Sequence, residues 1–346
     1  MWGRRQAAAQ REVHGRRSDR RVVWTAVMVL GLVATGCSQP TSEVVTESEP
    51  AVDAATTAPE ASSPPAAAPS PPAATDEADA GDATADSEEA EGDLYDLDPG
   101  QFSRSTVIDA TWLPMRPGTR HVYEGTAIEE DEEIDRRVIF IVTDLTKVIG
   151  GVEAVVIWER DFNDDLLLES ELAFFAQDDD GNVWHLGQYR ETYDEDEFVG
   201  GRIWVVDNPK GAKAGIAMHA NPPQPGTPPY SQGFAPAPFN WTDRAQVDQL
   251  GQELCVPVGC YEDVLVTAES DEENPGIQLK YYAPDVGNIG VGFRGDDPEQ
   301  EELELVERRQ LDEAELEQVR EEALAHETRG YMYSMTPPAE PSDGPR

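Results

Sequence analysis

Three carboxylates and an amide fall within one predicted turn, Asp178-Asp-Asp-Gly-Asn182. Oxygen ligands of this kind suit Ca²⁺, so Asp178, Asp180 and Asn182 form a candidate calcium site. An EF-hand loop would place a glutamate twelfth from Asp178, and the residue there is Tyr189. The alternative is an ordinary hairpin turn, because Asp-Gly and Gly-Asn adopt the positive φ angles that such turns require.

A cysteine pair, Cys255 and Cys260, flanks the loop Val-Pro-Val-Gly. A loop of this length can bring facing strand positions to disulfide distance. We predict a disulfide that locks a hairpin, with a contribution of about 2 kcal/mol from the short loop. A redox-active or metal-binding pair would require CxxC spacing or nearby histidines.

The remaining candidate catalytic groups form no recognisable pattern. His121, His185, His219 and His326 lack HxH or HExxH spacing, and the chain has no GxSxG nucleophile motif. The glycine-rich segment 287–292 lies between predicted strands, so it lacks the helix N-terminus that would bind phosphate. Carboxylates are so abundant that chance pairs are expected, which leaves a glycosidase-like acid pair as an unspecific alternative. We therefore predict no particular reaction and favour a protein that is not an enzyme.

The overall charge limits the partners. The 346 residues contain 69 Asp and Glu against 26 Lys and Arg, a formal net charge of −43. Binding to DNA or RNA relies on clustered basic residues that displace counterions, so nucleic acid is excluded as a partner.

The N-terminus has the features of an export signal. The first 21 residues contain seven Arg and two acids, and the apolar stretch 22–34 is shorter than the ~20 residues of a membrane span. Residues 1–36 are therefore predicted to be a signal peptide. Gly36-Cys37 resembles the lipobox of bacterial lipoproteins, with Ala34 where leucine is usual, so Cys37 is the predicted lipidation site.

This assignment leaves three alternatives open: ordinary signal cleavage, an uncleaved signal anchor, and export by either the general or the twin-arginine route, since Arg20-Arg21 precede the apolar stretch. A lipid on Cys37 would hold the protein on the outer face of the bacterial cytoplasmic membrane or elsewhere in the cell envelope. The membrane is thus a predicted partner through the anchor.

An acidic segment follows the signal. Residues 38–100 contain sixteen acids, nine prolines and no Lys or Arg. Such a composition buries too little apolar surface to offset chain entropy, and its charges repel one another. Residues 37–100 are predicted to be a disordered tether.

The composition changes after residue 100 to short runs of β-branched and aromatic residues separated by turn signals. This spacing predicts an all-β domain over 101–309, an antiparallel meander of about ten to twelve strands that curls into an open barrel or a sandwich. The proline-rich segment 221–238 interrupts it as an insertion or a lid. Asp312 and Glu315 form a capping-box pattern, which predicts one amphipathic helix over 310–330, followed by a disordered tail, 331–346.

Five segments of the domain occur in the order of a known group of proteins: 116–125 (RPGTRHVYEG), 175–187 (FAQDDDGNVWHLG), 211–218 (GAKAGIAM), 256–259 (VPVG) and 280–287 (KYYAPDVG). Together they resemble uncharacterised bacterial secreted or lipid-anchored proteins with PGTxWxYxG, AQDxxGNVWxxG and KYYAPGVG motifs. The resemblance covers roughly 115–306. His121 stands where that group usually has tryptophan. The resemblance implies an all-β envelope domain and assigns no activity and no catalytic residues.

We favour a lipid-anchored binding module that holds an apolar ligand within the curved sheet or binds another envelope protein. The candidate lining of such a ligand cavity is Trp158, Phe175, Trp184, Trp204, Tyr281 and Tyr282. The same aromatic residues are also expected in an ordinary core. An extracytoplasmic hydrolase of envelope glycan and a structural spacer are the alternatives. No cofactor is predicted apart from the candidate calcium ion.

Overall fold

A computed structural model describes residues 94–129, 131–194, 196–237, 239–272, 276–330 and 339–342. The predicted signal peptide, Cys37 and the tether up to residue 93 lie outside these residues. So do segments 331–338 and 343–346 of the predicted tail. Residues at the end of the predicted tether are described, and Tyr95 and Leu97 pack against the folded domain.

The described residues form fifteen β-strands, most of them long and rich in β-branched and aromatic residues. Their bounds are β1 Thr119–Glu129, β2 Glu132–Ile149, β3 Val152–Asn163, β4 Leu166–Gln177, β5 Val183–Asp194, β6 Glu197–Val205, β7 Lys213–Met218, β8 Tyr230–Ser231, β9 Gly233–Phe234, β10 Arg244–Val256, β11 Gly259–Ser270, β12 Ile277–Ala283, β13 Gly287–Arg294, β14 Glu302–Gln310 and β15 Glu340–Pro341.

All of these strands belong to one antiparallel sheet. Its main path runs β8-β10-β11-β12-β13-β14-β1-β2-β3-β4-β5-β7-β9, and off this path β6 pairs with β5 and β15 pairs with β2. The first long strand pairs with the last, since Thr119 lies opposite Gln310. At the two ends of the sheet, β8 pairs with β10 and β9 pairs with β7, and only Gln232 separates β8 from β9. The proline-rich segment therefore brings the two ends together and nearly closes a barrel. This confirms the predicted all-β antiparallel fold and selects the barrel over the sandwich.

The two faces of the sheet bury different side chains. On β3, Val156 and Trp158 face outward into an apolar layer, and Val155 and Ile157 face the barrel interior with Glu159 two residues further along. The neighbouring Phe174 and Phe175 of β4 divide in the same way. Both faces are therefore buried, the outer one beneath a helix.

That helix, α1 (Glu313–Arg329), is the single helix longer than one turn in the described residues and completes the predicted fold class. Asp312 caps it and forms the predicted capping box with Glu315. Its apolar stripe of Leu316, Val319 and Ala323 packs on the outer face of the sheet.

Ion pairs fasten α1 to the sheet. Lys147 Nζ lies 2.9 Å from Glu327 Oε1, and Arg329 Nη2 lies 2.7 Å from Glu191 Oε2. Arg320 pairs with Asp144 in the same way. Each of these three cations has one principal carboxylate.

Candidate functional site

The candidate calcium turn is built around one carboxylate. Asp178 Oδ1 accepts hydrogen bonds from the backbone N–H groups of Asp180 and Asn182, and its Oδ2 accepts from the Asn182 and Trp184 side chains. Asp179 instead accepts from Ser103. These bonds build a hairpin turn between β4 and β5, which is the alternative to a metal site considered above. Over the described part of the chain, no group of three or more His, Cys, Asp or Glu side chains is placed to hold a metal ion.

The predicted disulfide between Cys255 and Cys260 is present, and it joins β10 to β11 directly opposite each other. It lies beside the β10–β11 turn, away from the barrel interior described below.

The six aromatic residues predicted to line a cavity are divided between different surroundings. Phe175 and Tyr282 line a cavity inside the barrel. Trp158 and Trp184 belong to the outer apolar layer, and Trp204 packs on Trp241. Tyr281 points to the opposite face of β12 from Tyr282, as alternation along a strand requires.

The cavity has a volume of about 120 Å³ and lies towards one end of the barrel. There the segment before β1 meets the β12–β13 turn, where the Asp285 N–H donates to the Thr111 carbonyl at 2.7 Å. Its apolar wall is formed by Leu113, Pro114, Met115, Val138, Phe140, Phe175, Ala217, Tyr282, Val286, Val291 and Leu303. This wall makes the cavity suitable for an organic group.

The polar residues of the lining include His121, His185 and Gln232. Their exposed fractions are only 4, 2 and 3 %. Within the described residues, His121 Nε2, His185 Nε2 and Gln232 Oε1 have no hydrogen-bond partner. Buried polar atoms are nearly always paired, so three such atoms on one cavity are unusual.

The contacts of His185 fix which of its nitrogens carries the proton. Its Nδ1 lies 3.3 Å from the Gln232 carbonyl oxygen, and a carbonyl can only accept, so Nδ1 is the donor. Burial lowers the pKa of His185 to about 4, so the ring is neutral at pH 7. Nε2 therefore presents a lone pair. Phe175 stacks on this ring at 4.9 Å between centroids and holds its orientation.

His121 is protonated on the same nitrogen, and here the tautomer follows from the hydrogen bonds of the Tyr123 hydroxyl. The Tyr123 hydroxyl donates to the Asn288 carbonyl at 3.0 Å, so its oxygen accepts at the 3.2 Å contact with His121 Nδ1. Nδ1 thus carries the proton and Nε2 is again an acceptor. Burial lowers the pKa of His121 to about 4.

Gln232 connects the two ends of the sheet at the cavity. Its Nε2 donates to Glu269 Oε1 at 3.3 Å, which leaves its Oε1 as the atom without a partner in the described residues. Glu269 also accepts from Thr267 and lies 3.4 Å from Lys280 Nζ. All three unpartnered atoms on the cavity are consequently acceptors.

Charged residues occupy the interior beyond the cavity. Arg190 Nε lies 2.9 Å from Glu171 and 3.1 Å from Glu169, and Arg136 Nε lies 3.1 Å from Glu301. The buried charged residues of the interior include six carboxyl groups and three cations. The carboxyl groups are Glu159, Asp161, Glu169, Glu171, Glu269 and Glu301, and the cations are Arg136, Arg190 and Lys280.

Burial raises the pKa of several of these carboxyl groups. Burial raises the pKa of Asp161 and of Glu169 to about 7, although Arg136 lowers the first and Arg190 the second. Burial, helped by the carboxyl groups of Asp161 and Glu171, raises the pKa of Glu159 well above its usual range. Protons thus neutralise part of the negative charge of these groups.

The sequence analysis did not identify this polar interior. A usable signal was present, because Glu159 and Asp161 on β3 and Glu169 and Glu171 on β4 alternate in phase with inward-facing apolar residues. Alternation alone predicts that the polar face of an antiparallel strand meets solvent. Here α1 covers the other face, so the carboxylates point inward.

No family model matches the chain, and no curated protein matches it. A Bacteroides fragilis protein described as exported and as having a YmcC-like fold has 12 % sequence identity and a TM-score of 0.35. A Parabacteroides distasonis protein described as a lipoprotein has 10 % identity and a TM-score of 0.32. Each alignment covers 58 % of this chain and 100 % of the other. Among the described residues, no helix has the length and apolar character needed to cross a membrane.

Proposed function

We propose that this chain is an exported protein, anchored by a lipid on Cys37, whose barrel binds a small molecule in the cavity lined by His121, His185 and Gln232. The three unpartnered acceptors on that cavity carry the proposal. A buried polar atom without a hydrogen bond costs about 1–3 kcal/mol, and a ligand that supplies donors would remove this cost.

The location rests on the N-terminal sequence. An arginine-rich start, a short apolar stretch and Gly36-Cys37 precede a segment that carries sixteen acids and no Lys or Arg between residues 38 and 100. Such a segment would be repelled by anionic lipid and would hold the barrel away from the membrane. Metabolic labelling with a fatty-acid probe is expected to tag the wild-type chain and not the variant Cys37→Ser, and equal labelling of the two chains would refute lipid anchoring at this residue.

The size of the cavity favours a small ligand. One water needs about 10–15 Å³ of cavity volume, so the 120 Å³ of this cavity holds on the order of ten water-sized groups. A molecule of about ten non-hydrogen atoms fits this volume better than a glycan chain. The size therefore favours a binding module over the glycan hydrolase.

Native mass spectrometry of the full chain, purified gently from its own envelope fraction, tests the binding function. We expect an excess over the denatured mass that disappears on denaturation. In the variant Gln232→Leu, which removes one acceptor and keeps similar side-chain volume, the excess should fall. A bare mass for the wild-type chain would refute the proposal and direct the search to cross-linked envelope proteins.

A further inference from the structure

The unpartnered polar atoms on the cavity share one hydrogen-bonding character. His121 Nε2, His185 Nε2 and Gln232 Oε1 can only accept, because the other nitrogen of each ring and the amide nitrogen of the glutamine are the donors in the contacts described above. An ether, a ketone or any other group that only accepts would give these atoms no hydrogen bond. A ligand that satisfies them therefore presents N–H or O–H donors.

The charged side chains of the cavity wall are already engaged within the chain. Glu269 Oε2 lies 3.4 Å from Lys280 Nζ, and Glu301 Oε1 lies 3.1 Å from Arg136 Nε. Burial raises the pKa of Glu159 well above its usual range, so this carboxyl group keeps its proton at pH 7. A carboxylate or phosphate ligand would place its acceptors against acceptors and compete with Glu269 for Lys280. Hydrogen-bond donors, rather than charge, are what this wall selects in a ligand.

The apolar part of the cavity wall determines what the rest of the ligand is. Phe140, Phe175 and Tyr282 line the cavity together with aliphatic side chains such as Leu113 and Val138. An apolar group gains free energy when it leaves water for such a wall, whereas a sugar or another polyol would bury hydroxyl groups that find no partner there. The volume of about 120 Å³ limits this group to roughly one ring.

We infer that the ligand is a small apolar molecule that carries a hydroxyl or amino donor and no anionic group, such as an aromatic alcohol, a phenol or an aromatic amine. Its donor bonds one or more of the acceptors His121 Nε2, His185 Nε2 and Gln232 Oε1. Its apolar part packs against Phe175 and Tyr282. This inference rests on the proposed binding function and adds the chemical class of the ligand.

Calorimetric titration of the full chain with four probes of similar size tests the inference. Benzyl alcohol presents an O–H donor, benzylammonium presents N–H donors, benzyl methyl ether only accepts, and benzoate is an anion that only accepts. We expect at least one of the two donor probes to bind about tenfold more tightly than the ether and than benzoate, because only a donor satisfies the buried acceptors. The tighter of the two shows whether the donor is a hydroxyl or an ammonium group.

Removing an acceptor should reduce this preference for donors. His121→Phe and His185→Phe each keep an aromatic ring, and Gln232→Leu keeps a similar side-chain volume. In at least one of these variants, the ratio of the donor probe's affinity to that of the ether should fall from about tenfold towards one. If one variant unfolds on thermal scanning, the other two give the ratio. His219→Phe is the matched control and should keep the wild-type ratio, since His219 packs on Tyr230 and does not line the cavity.

The outcomes separate the inference from the proposed function. Equal or tighter binding of the ether or of benzoate, or an unchanged ratio in all three variants, would overturn the donor assignment and leave a binding module. If none of the probes binds, the molecule identified from the native mass excess decides: one with O–H or N–H donors and no anionic group supports the assignment, and any other overturns it. No binding of any probe together with a bare native mass would refute both.

Discussion

The two buried faces of the sheet differ in how their polar and charged groups are paired. On the outer face, the cations Lys147 and Arg329 each meet one carboxylate, supplied by Glu327 and Glu191. In the barrel interior, three acceptors on one cavity, His121 Nε2, His185 Nε2 and Gln232 Oε1, have no hydrogen-bond partner among the described residues. The ion pairs that fasten α1 are thus matched within the chain, whereas the three cavity acceptors have no such match among the described residues.

This difference separates stability from function. Ion pairs and apolar packing hold α1 on the sheet, and these contacts need no ligand. Buried acceptors without a hydrogen bond weaken the folded state, so the three on the cavity favour a role other than stability.

The largest effect is expected from breaking an interior ion pair. Replacing Arg190 with methionine leaves Glu169 and Glu171 buried without their nearest cation. The free energy of unfolding should fall by about 3–5 kcal/mol, measured by urea denaturation. Adding Glu171→Gln to this variant should recover part of the loss. A loss below about 1 kcal/mol would show that the interior charges do not depend on their partners.

A cavity made in the contact between α1 and the sheet should lower the free energy of unfolding by less than the loss of the interior ion pair. Leu316→Ala removes an apolar side chain from the helix–sheet contact and should lower the free energy of unfolding by about 2–3 kcal/mol. The mass excess in native mass spectrometry should stay as in the wild type, because Leu316 does not line the cavity. A matching loss of binding would show that the two faces are coupled.

The pH dependence of stability tests the raised pKa of Asp161 directly. Asp161 faces Arg136 on β2, Glu169 on β4, Arg190 on β5 and Glu301. Because its pKa is raised to about 7 on folding, the folded chain holds a proton that the unfolded chain loses near pH 4, so this contribution to stability falls as pH rises from about 4 to about 7.

Asp161→Asn removes that proton exchange. The free energy of unfolding of the variant relative to the wild type should therefore rise by on the order of 2 kcal/mol between pH 4 and pH 8, measured by urea denaturation across this range. The comparison cancels the histidines, whose lowered pKa values act in the opposite direction between about pH 4 and pH 6.5. A difference that does not change with pH would contradict the raised pKa.

The smallest effect is expected at the helix cap. Asp312 accepts hydrogen bonds from the backbone N–H groups of Ala314 and Glu315. Asp312→Ala should lower the free energy of unfolding by about 1 kcal/mol in thermal or urea unfolding. Asp312→Asn keeps an accepting oxygen and serves as the control, so equal losses in the two variants would argue against the cap.

Local patterns made much of the fold predictable. Short β-branched runs separated by turn residues predicted the antiparallel strands, and Asp312 with Glu315 predicted the start of α1. The cysteine spacing predicted the disulfide of one hairpin. These features depend on residues close together in the chain.

The remaining features depend on residues far apart in the chain. Segment 221–238 had the composition of an insertion, yet Gln232 within it lies between β8 and β9 and contributes an acceptor to the cavity. Only two of the six predicted aromatic residues line that cavity, because alternation does not say which face α1 covers. Because the chain has many acidic residues, its sequence likewise did not show which carboxyl groups lie inside the barrel.

The pairing of β1 with β14 has a consequence for folding. Arg120 and Glu307 meet across a separation of 187 residues, so the barrel depends on contacts of very high sequence separation. Such contacts carry a large loop-closure entropy and form slowly. During synthesis, the interior cannot assemble before residue 310 is made, so a chain that stops before β14 lacks an entire barrel wall.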